Sequence, residues 1–179
     1  MIKSPKLYLA GKIKKNDFRH QIVHNLSGHD TNSGYLQTED FTYIGPFFVA
    51  CDHGCYHSPN SHGSIAENGC MHSGATQSQA EVIRKNNAAI DSADLVFAYI
   101  TTTDCYGTLI EIGRATSTLR RPRLAIAFAP GIPVDDLWYC ALQADSVHYS
   151  VRECCLRELL SAELKALQTA HPAAHGVTP

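Results

Sequence analysis

The chain has 179 residues, of which 44% are hydrophobic and 18% are charged, and its formal net charge is -2 at pH 7. This composition is typical of a globular domain, and we expect one domain over residues 1–170 followed by a flexible tail at 171–179. The small net charge gives no reason to expect a nucleic-acid or membrane partner. Because no apolar run is long enough for a membrane span or a signal peptide, we expect a cytoplasmic protein.

The predicted secondary structure alternates between strands and helices along the chain. Apolar runs predict strands at 6–11, 41–50, 93–100, 123–130 and 146–151. The intervening segments predict helices at 17–26 and 78–93, one that starts at residue 104, and two more at 133–144 and 154–170. Strands that are apolar throughout and alternate with helices indicate a parallel sheet covered on both faces. We therefore predict an α/β fold, a flavodoxin-like or Rossmann-like sandwich with a five-stranded parallel sheet.

The helix after the third predicted strand carries an acidic residue, Glu111, at the border of its buried stripe. That stripe is predicted to contain Thr108, Ile112, Ala115 and Leu119, with Asp104 as the N-cap of the helix. Helix side chains lean toward the N-terminus, so Glu111 reaches over Gly107 into the crevice where ligands of this fold bind. The helix dipole favours the ionised carboxylate, which suits a nucleophile. The alternative is a border residue that pairs with Arg114 or Arg84.

Three segments resemble the nucleoside 2-deoxyribosyltransferase family: YLAG at 8–11, ADLVFAYI at 93–100 and DCYGTLIEIGRA at 104–115. The resemblance implies an enzyme that cleaves the N-glycosidic bond of a 2′-deoxynucleoside through a covalent glycosyl-glutamate and transfers the sugar to another base. Relatives that hydrolyse nucleoside 5′-monophosphates supply an alternative activity, a nucleotide N-glycosidase. A further alternative is a nucleotide-binding sensor without catalysis. We expect a small-molecule nucleoside or nucleotide substrate, a nucleobase acceptor and no cofactor.

The resemblance also implies catalytic roles for three residues. Glu111 matches the nucleophile that attacks the sugar, as in retaining glycosidases. Tyr8 matches a tyrosine that holds this nucleophile through its hydroxyl, and Asp104 matches an acid that helps to protonate the leaving base. Gly11, Gly107 and Thr108 are predicted to line the substrate site.

Further substrate contacts are implied on two later helices. Asn86 stands where the family has a second acid, and its amide can still contact a base edge. Asp136 and Trp138 stand where the family closes the site with residues from a neighbouring subunit, so we expect a homodimer or a higher homo-oligomer. Simple packing on an amphipathic helix is the alternative for Trp138.

Residues 49–78 form a long segment of His, Cys, Gly, Ser and Asn without periodicity. A segment this long inside a compact domain is typical of a functional lid or of disorder. We predict a lid in which His53 or His62 contacts a 5′-hydroxyl or phosphate. Lys12, Lys14 and Arg19, near the end of the first strand, suit a 5′-phosphate. Cysteine and histidine ligands leave zinc as an alternative, but their spacing is not that of a zinc finger, so we predict no metal.

Overall fold

A mixed six-stranded sheet forms the centre of the protein in the computed structural model, which describes residues 4–13, 17–24, 26, 35–46 and 79–170. The strands are β1 (Lys6–Gly11), β2 (Leu36–Gln37), β3 (Thr42–Gly45), β4 (Leu95–Ile100), β5 (Arg123–Phe128) and β6 (Ser146–His148). Their order across the sheet is β2-β3-β1-β4-β5-β6. The edge strand β2 runs antiparallel to β3, and the other pairings are parallel.

Helices cover both faces of this sheet. They are α1 (Arg19–Ile22), α2 (Gln79–Ser92), α3 (Tyr106–Ser117), α4 (Trp138–Ala141) and α5 (Leu156–Ala170), with 3₁₀ turns at Val134–Leu137 and Glu153–Cys155 before the last two. Successive strand residues point to opposite faces. In β1, Tyr8 and Ala10 therefore pack toward α2, α3 and α4, whereas Leu7 and Leu9 pack toward α1 and α5. No helix within the described residues is long and apolar enough to cross a membrane.

The predicted α/β class is confirmed, but the strand count is corrected from five to six. Each of the five predicted strands contains an observed strand at its predicted place in the chain order. The additional strand, β2, has only two residues, Leu36 and Gln37, and a pattern this short is invisible in the sequence. Because β2 is antiparallel, the sheet is mostly parallel rather than wholly parallel.

The start and end of α3 also differ from the prediction. The helix begins at Tyr106 and is preceded by Cys105, so Asp104 is not its N-cap. At the other end the backbone becomes extended at Thr118, which ends the helix at Ser117. Leu119 therefore lies beyond the helix and is fully exposed instead of buried. The other three members of the predicted stripe, Thr108, Ile112 and Ala115, are buried.

Candidate functional site

The connections from β1 and β4 diverge at the carboxyl edge of the sheet. The two strands are neighbours, and Gly11 at the end of β1 pairs with Tyr99 of β4. The chain leaves β1 toward α1 on one face of the sheet and leaves β4 toward α3 on the opposite face. Ligands of doubly wound α/β sheets bind in the crevice that such a divergence opens, outside the carboxyl ends of the strands.

A tyrosine from β1 and a glutamate from α3 meet beside this crevice. The Tyr8 hydroxyl donates a hydrogen bond to Glu111 Oε1 over 2.5 Å. Tyr8 has no exposed surface, and Glu111 is partly buried. Gly45 leaves room for the tyrosine ring, because a Cβ built on Gly45 would lie 2.7 Å from Tyr8 Cε2. The φ of Gly45, +154°, is a further reason why only glycine suits this position.

Burial raises the pKa of Glu111 to about 7, against the hydrogen bond from Tyr8 and the positive charge of Arg19, which both lower it. This corrects the expectation of a carboxylate kept ionised by the helix dipole, since desolvation outweighs that influence. The alternative of a glutamate paired with an arginine is not found either. Arg114 pairs with Asp91, and Arg84 pairs with Glu81. Glu111 is therefore a carboxyl group that can gain or lose a proton near neutral pH.

Asp104 lies at the mouth of the crevice in an exposed ion pair with Lys12. The Lys12 Nζ atom is 2.5 Å from Asp104 Oδ2, and the Thr102 hydroxyl donates to Asp104 Oδ1. These two hydrogen bonds hold the pKa of Asp104 below its usual value. Asp104 is thus ionised at neutral pH, and the predicted role of a proton-donating acid does not suit it.

Arg19 is a fully buried structural residue in the described conformation. Its guanidinium donates to Leu9 O over 2.9 Å and to Gly11 O over 2.7 Å, and it pairs with the buried carboxylate of Asp17 at 2.7 Å. These bonds hold the carboxyl end of β1 against α1, the helix that carries Arg19. The predicted phosphate contact of Arg19 is corrected accordingly, because its side chain has no exposed surface to offer a ligand.

The predicted substrate-lining residues divide into packed and open positions. A Cβ built on Gly11 would lie 2.7 Å from Phe18 Cε1, so close packing accounts for this glycine. Thr108 is on the buried side of α3. Gly107 faces open space, since no atom lies within 4 Å of a Cβ built there. Asn86 lies on α2 and is partly buried.

Among the described residues, Asp136 and Trp138 are not joined to the Tyr8–Glu111 contact or to the Lys12–Asp104 ion pair. Asp136 is exposed on the 3₁₀ turn after β5, and Trp138 is 58% exposed and contacts the ring of Tyr139. Lys14, His53 and His62 lie outside the described residues, as do the rest of the predicted lid and the tail at 171–179.

A cavity of about 300 Å³ lies at the end of the sheet away from the crevice, where β1 begins. It is lined in part by Ser4 and Pro5, which precede β1, and by Lys165 of α5. This cavity is separated from the crevice by the length of β1, so it is not part of the candidate site.

No family model matches the chain, and no curated protein matches it. Among solved structures, the FeoB G-domain from Methanococcus jannaschii matches with 16% identity and a TM-score of 0.39, covering 92% of this chain and 99% of that one. The sequence also lacks the G-x-x-x-x-G-K-[ST] motif of a phosphate-binding loop. A similarity at this level assigns neither a ligand nor an activity to the chain.

The comparisons correct the prediction that the chain is a nucleoside 2-deoxyribosyltransferase. No family model and no curated protein supports the resemblance seen in the sequence, and a solved structure that matches is a G-domain. The glycosyl transfer and the N-glycosidase alternative rested on that family and are withdrawn with it. The neighbouring-subunit role of Asp136 and Trp138 stays a prediction.

Two residues of the site, Gly45 and Thr102, were missed in the sequence. The signal for Gly45 was a glycine that ends a β-branched and aromatic run just before Pro46, where a close approach of another group is common. Thr102 stands in a run of three threonines, and only the structure distinguishes the one that donates to Asp104.

Proposed function

We propose that the protein is a hydrolase that binds a nucleotide in the crevice between the ends of β1 and β4 and uses Glu111 as its general base. The observation that carries the proposal is the carboxyl group of Glu111, held by the buried hydroxyl of Tyr8, with a pKa of about 7. A general base works best when its pKa lies near the operating pH.

The class of ligand is supported by the strand order and by the charges at the mouth of the crevice. Without β2, the order β3-β1-β4-β5-β6 is that of a flavodoxin-like sheet, whose reversal point between β1 and β4 is a nucleotide-binding position. Lys12 supplies an exposed cation for a phosphate, and Asp104 supplies an ionised acceptor for a sugar hydroxyl. A nucleotide carries both groups.

In the proposed reaction the ionised carboxylate of Glu111 accepts a proton from water, and the water oxygen bonds to a phosphorus atom of the nucleotide. The P–O bond to the leaving nucleoside or phosphate breaks, and the leaving oxygen takes up a proton. The Tyr8 hydroxyl fixes the orientation of the carboxylate and stays protonated, because burial and the charge of Glu111 raise its pKa well above the ordinary value. When the ligand binds, the ammonium group of Lys12 moves from Asp104 to the phosphate. The carboxylate of Asp104 is then open to the sugar hydroxyl.

The test is a panel of ribo- and deoxyribonucleoside mono-, di- and triphosphates incubated with the protein at pH 8. Products are identified by liquid chromatography and mass spectrometry, which shows directly which bond water has cleaved. We expect turnover of one nucleotide class and at least a 100-fold loss in Glu111→Gln, the usual size of a general-base contribution. Glu158→Gln, an exposed residue on α5, serves as the matched control and keeps wild-type turnover.

Three results contradict parts of the proposal. Unchanged turnover in Glu111→Gln excludes Glu111 as the base. Nucleotide binding by calorimetry without any product identifies a binding module instead of an enzyme. A panel in which no nucleotide either binds or reacts overturns the assignment of the ligand class.

A further inference from the structure

Two adjacent cysteines, Cys154 and Cys155, are exposed on the 3₁₀ turn between β6 and α5. Their sulfur atoms are 3.8 Å apart. Free cysteine is among the residue types most often buried, and the other cysteines within the described residues, Cys105 and Cys140, follow that rule. A neighbouring pair of accessible thiols is therefore unusual.

The backbone on both sides of the pair is held in place. The Cys155 amide donates to Arg152 O over 2.9 Å, which closes the turn. Just before it, the Tyr99 hydroxyl donates to Val151 O over 3.0 Å, and just after it Leu156 is fully buried at the start of α5. Because the turn is fixed, the two cysteines keep their backbone positions, and a ligand that needs both sulfurs has to order only their two short side chains.

The charges around the pair act on Cys155 in opposite directions. The N-terminus of the long helix α5 follows directly, and a helix N-terminus stabilises a thiolate. Arg152 acts in the same direction on Cys155. The contact with Cys154 nevertheless raises the pKa of Cys155, because two thiolates this close would repel each other.

The spacing suits a bridging atom better than a disulfide. An S–S bond is about 2.05 Å long, and the two Cα atoms of an ordinary disulfide lie about 4.4–6.8 Å apart. Neighbouring residues have their Cα atoms about 3.8 Å apart, so a disulfide within the pair is strained. The sulfur atoms of Cys154 and Cys155 are 3.8 Å apart, and a larger thiophilic atom can bind both of them without bringing them to the length of an S–S bond.

We propose that Cys154 and Cys155 form a two-thiol binding site for a soft, trivalent thiophilic centre, with trivalent organic arsenic as the representative ligand. Soft centres of this kind prefer thiolate ligands. With an aryl arsenoxide, the two sulfurs form two As–S bonds and the arsenic–oxygen bond breaks. The two thiol protons leave with that oxygen as water, and no atom changes its oxidation state.

The sequence allows the site to be located by peptide mapping. Trypsin cleaves after Arg152 and Arg157, which places both cysteines on one peptide, residues 153–157, apart from all the other cysteines. The reduced full-length protein is titrated with phenylarsine oxide, alkylated with N-ethylmaleimide and digested. Mass spectrometry then measures the fraction of this peptide that is protected from alkylation.

We expect one phenylarsenic group on this peptide, released by the dithiol 2,3-dimercaptopropanol but not by a matching concentration of 2-mercaptoethanol. Cys154→Ser and Cys155→Ser should each raise the concentration required for half protection by about 100-fold or more, because the gain from two linked ligands is lost. Cys105→Ser, a buried cysteine, is the control and should leave the titration unchanged.

Half protection at an unchanged concentration in either serine variant overturns the proposal, since a single thiol would then suffice. Release by 2-mercaptoethanol as efficient as release by the dithiol overturns it as well. The readout does not involve nucleotide turnover, so the outcome is independent of the proposed function.

Discussion

Glu111 is subject to opposing influences that set its proton affinity. Burial favours the neutral acid, while the hydrogen bond from Tyr8 and the charge of Arg19 favour the carboxylate. These influences give Glu111 a pKa of about 7, and the hydrogen bond from Tyr8 also fixes the orientation of its carboxyl group. Neither property belongs to Glu111 alone, so changes at Tyr8 should alter the pH dependence of any reaction that uses this carboxyl group.

Tyr8→Phe should move the pH–rate profile upward. The variant keeps the buried ring but removes a hydrogen bond to the charged form of Glu111, which contributes about 1.5 kcal/mol, or about one pKa unit. The midpoint of the rising limb of kcat/KM, at about pH 7 in the wild type, should therefore shift to about pH 8.

The measurement is kcat/KM across pH 5 to 9 with the nucleotide found in the panel experiment. Tyr139→Phe, an exposed tyrosine on α4, is the control and should keep the wild-type midpoint. A Tyr8→Phe profile with the same midpoint would mean that the hydroxyl does not govern the proton affinity of Glu111.

At this scale the sequence predicted which residues meet but not their chemical state. Tyr8 on the first strand and Glu111 on the helix after β4 were both expected at the crevice, and the structure brings them into contact. The pKa of Glu111, the ion pair of Asp104 and the burial of Arg19 depend on atoms contributed by distant segments. Such contacts leave no periodic signal in the chain.

At the scale of elements, long helices with regular apolar spacing were predicted best. The helix expected at 78–93 is observed at Gln79–Ser92, and the helix expected at 154–170 is observed at Leu156–Ala170. The short helices were overestimated, since the prediction of 17–26 reduces to Arg19–Ile22. In that segment the buried Asp17–Arg19 pair fixes the local backbone, and tertiary bonds of this kind override helix propensity.

Helix α3 offers a matched pair of glycines for a test of the crevice. A Cβ built on either Gly107 or Gly113 meets no atom within 4 Å. Replacing glycine by alanine in a helix stabilises it by up to about 1 kcal/mol. Both Gly107→Ala and Gly113→Ala should therefore raise or preserve the free energy of unfolding.

Only Gly107→Ala should weaken ligand binding, because its methyl group enters the space over which Glu111 reaches. We expect about a 10-fold higher Kd for the nucleotide, as for a modest steric conflict of about 1.4 kcal/mol. Calorimetric titration of both variants measures the difference. Equal affinities in the two variants would show that the ligand does not occupy the space beside Gly107.

At the scale of the whole molecule, one buried carboxylate joins three elements. Glu163 of α5 accepts hydrogen bonds from Arg123 of β5 at 2.9 Å and from Ser146 of β6 at 2.8 Å, and His148 Nε2 lies 2.8 Å away. Burial alone would raise the pKa of Glu163, but these partners outweigh it and lower the pKa. The cluster therefore contributes stability at neutral pH and loses that contribution as the pH falls below the ordinary range of a glutamate.

Glu163→Gln should lower the free energy of unfolding by about 2 kcal/mol or more at pH 7, because Arg123 loses its charged partner. Urea unfolding at pH 7 measures the loss. Glu158→Gln, an exposed position on the same helix, should change the stability by less than about 0.5 kcal/mol. Equal stability of the two variants would show that the cluster does not hold α5 to the sheet.

The stability that Glu111 contributes should depend on pH in the opposite sense to that of Glu163. The folded-state pKa of Glu111, about 7, is above its ordinary value of 4.5. Between these two values the folded protein binds more protons than the unfolded chain, so the stability contributed by this group falls as the pH rises. The full difference of pKa corresponds to about 3 kcal/mol. Glu111→Gln removes this loss, because the amide has no charge to bury and its oxygen still accepts from Tyr8.

We therefore expect Glu111→Gln to gain stability relative to the wild type by about 3 kcal/mol between pH 4.5 and pH 8. Urea unfolding of both proteins at each pH gives this difference, in which the contribution of Glu163 cancels because both proteins retain it. Glu158→Gln should show no such gain, since its side chain is exposed. A constant difference between Glu111→Gln and the wild type over this range would mean that Glu111 titrates like an exposed glutamate, and the general-base proposal would lose its physical basis.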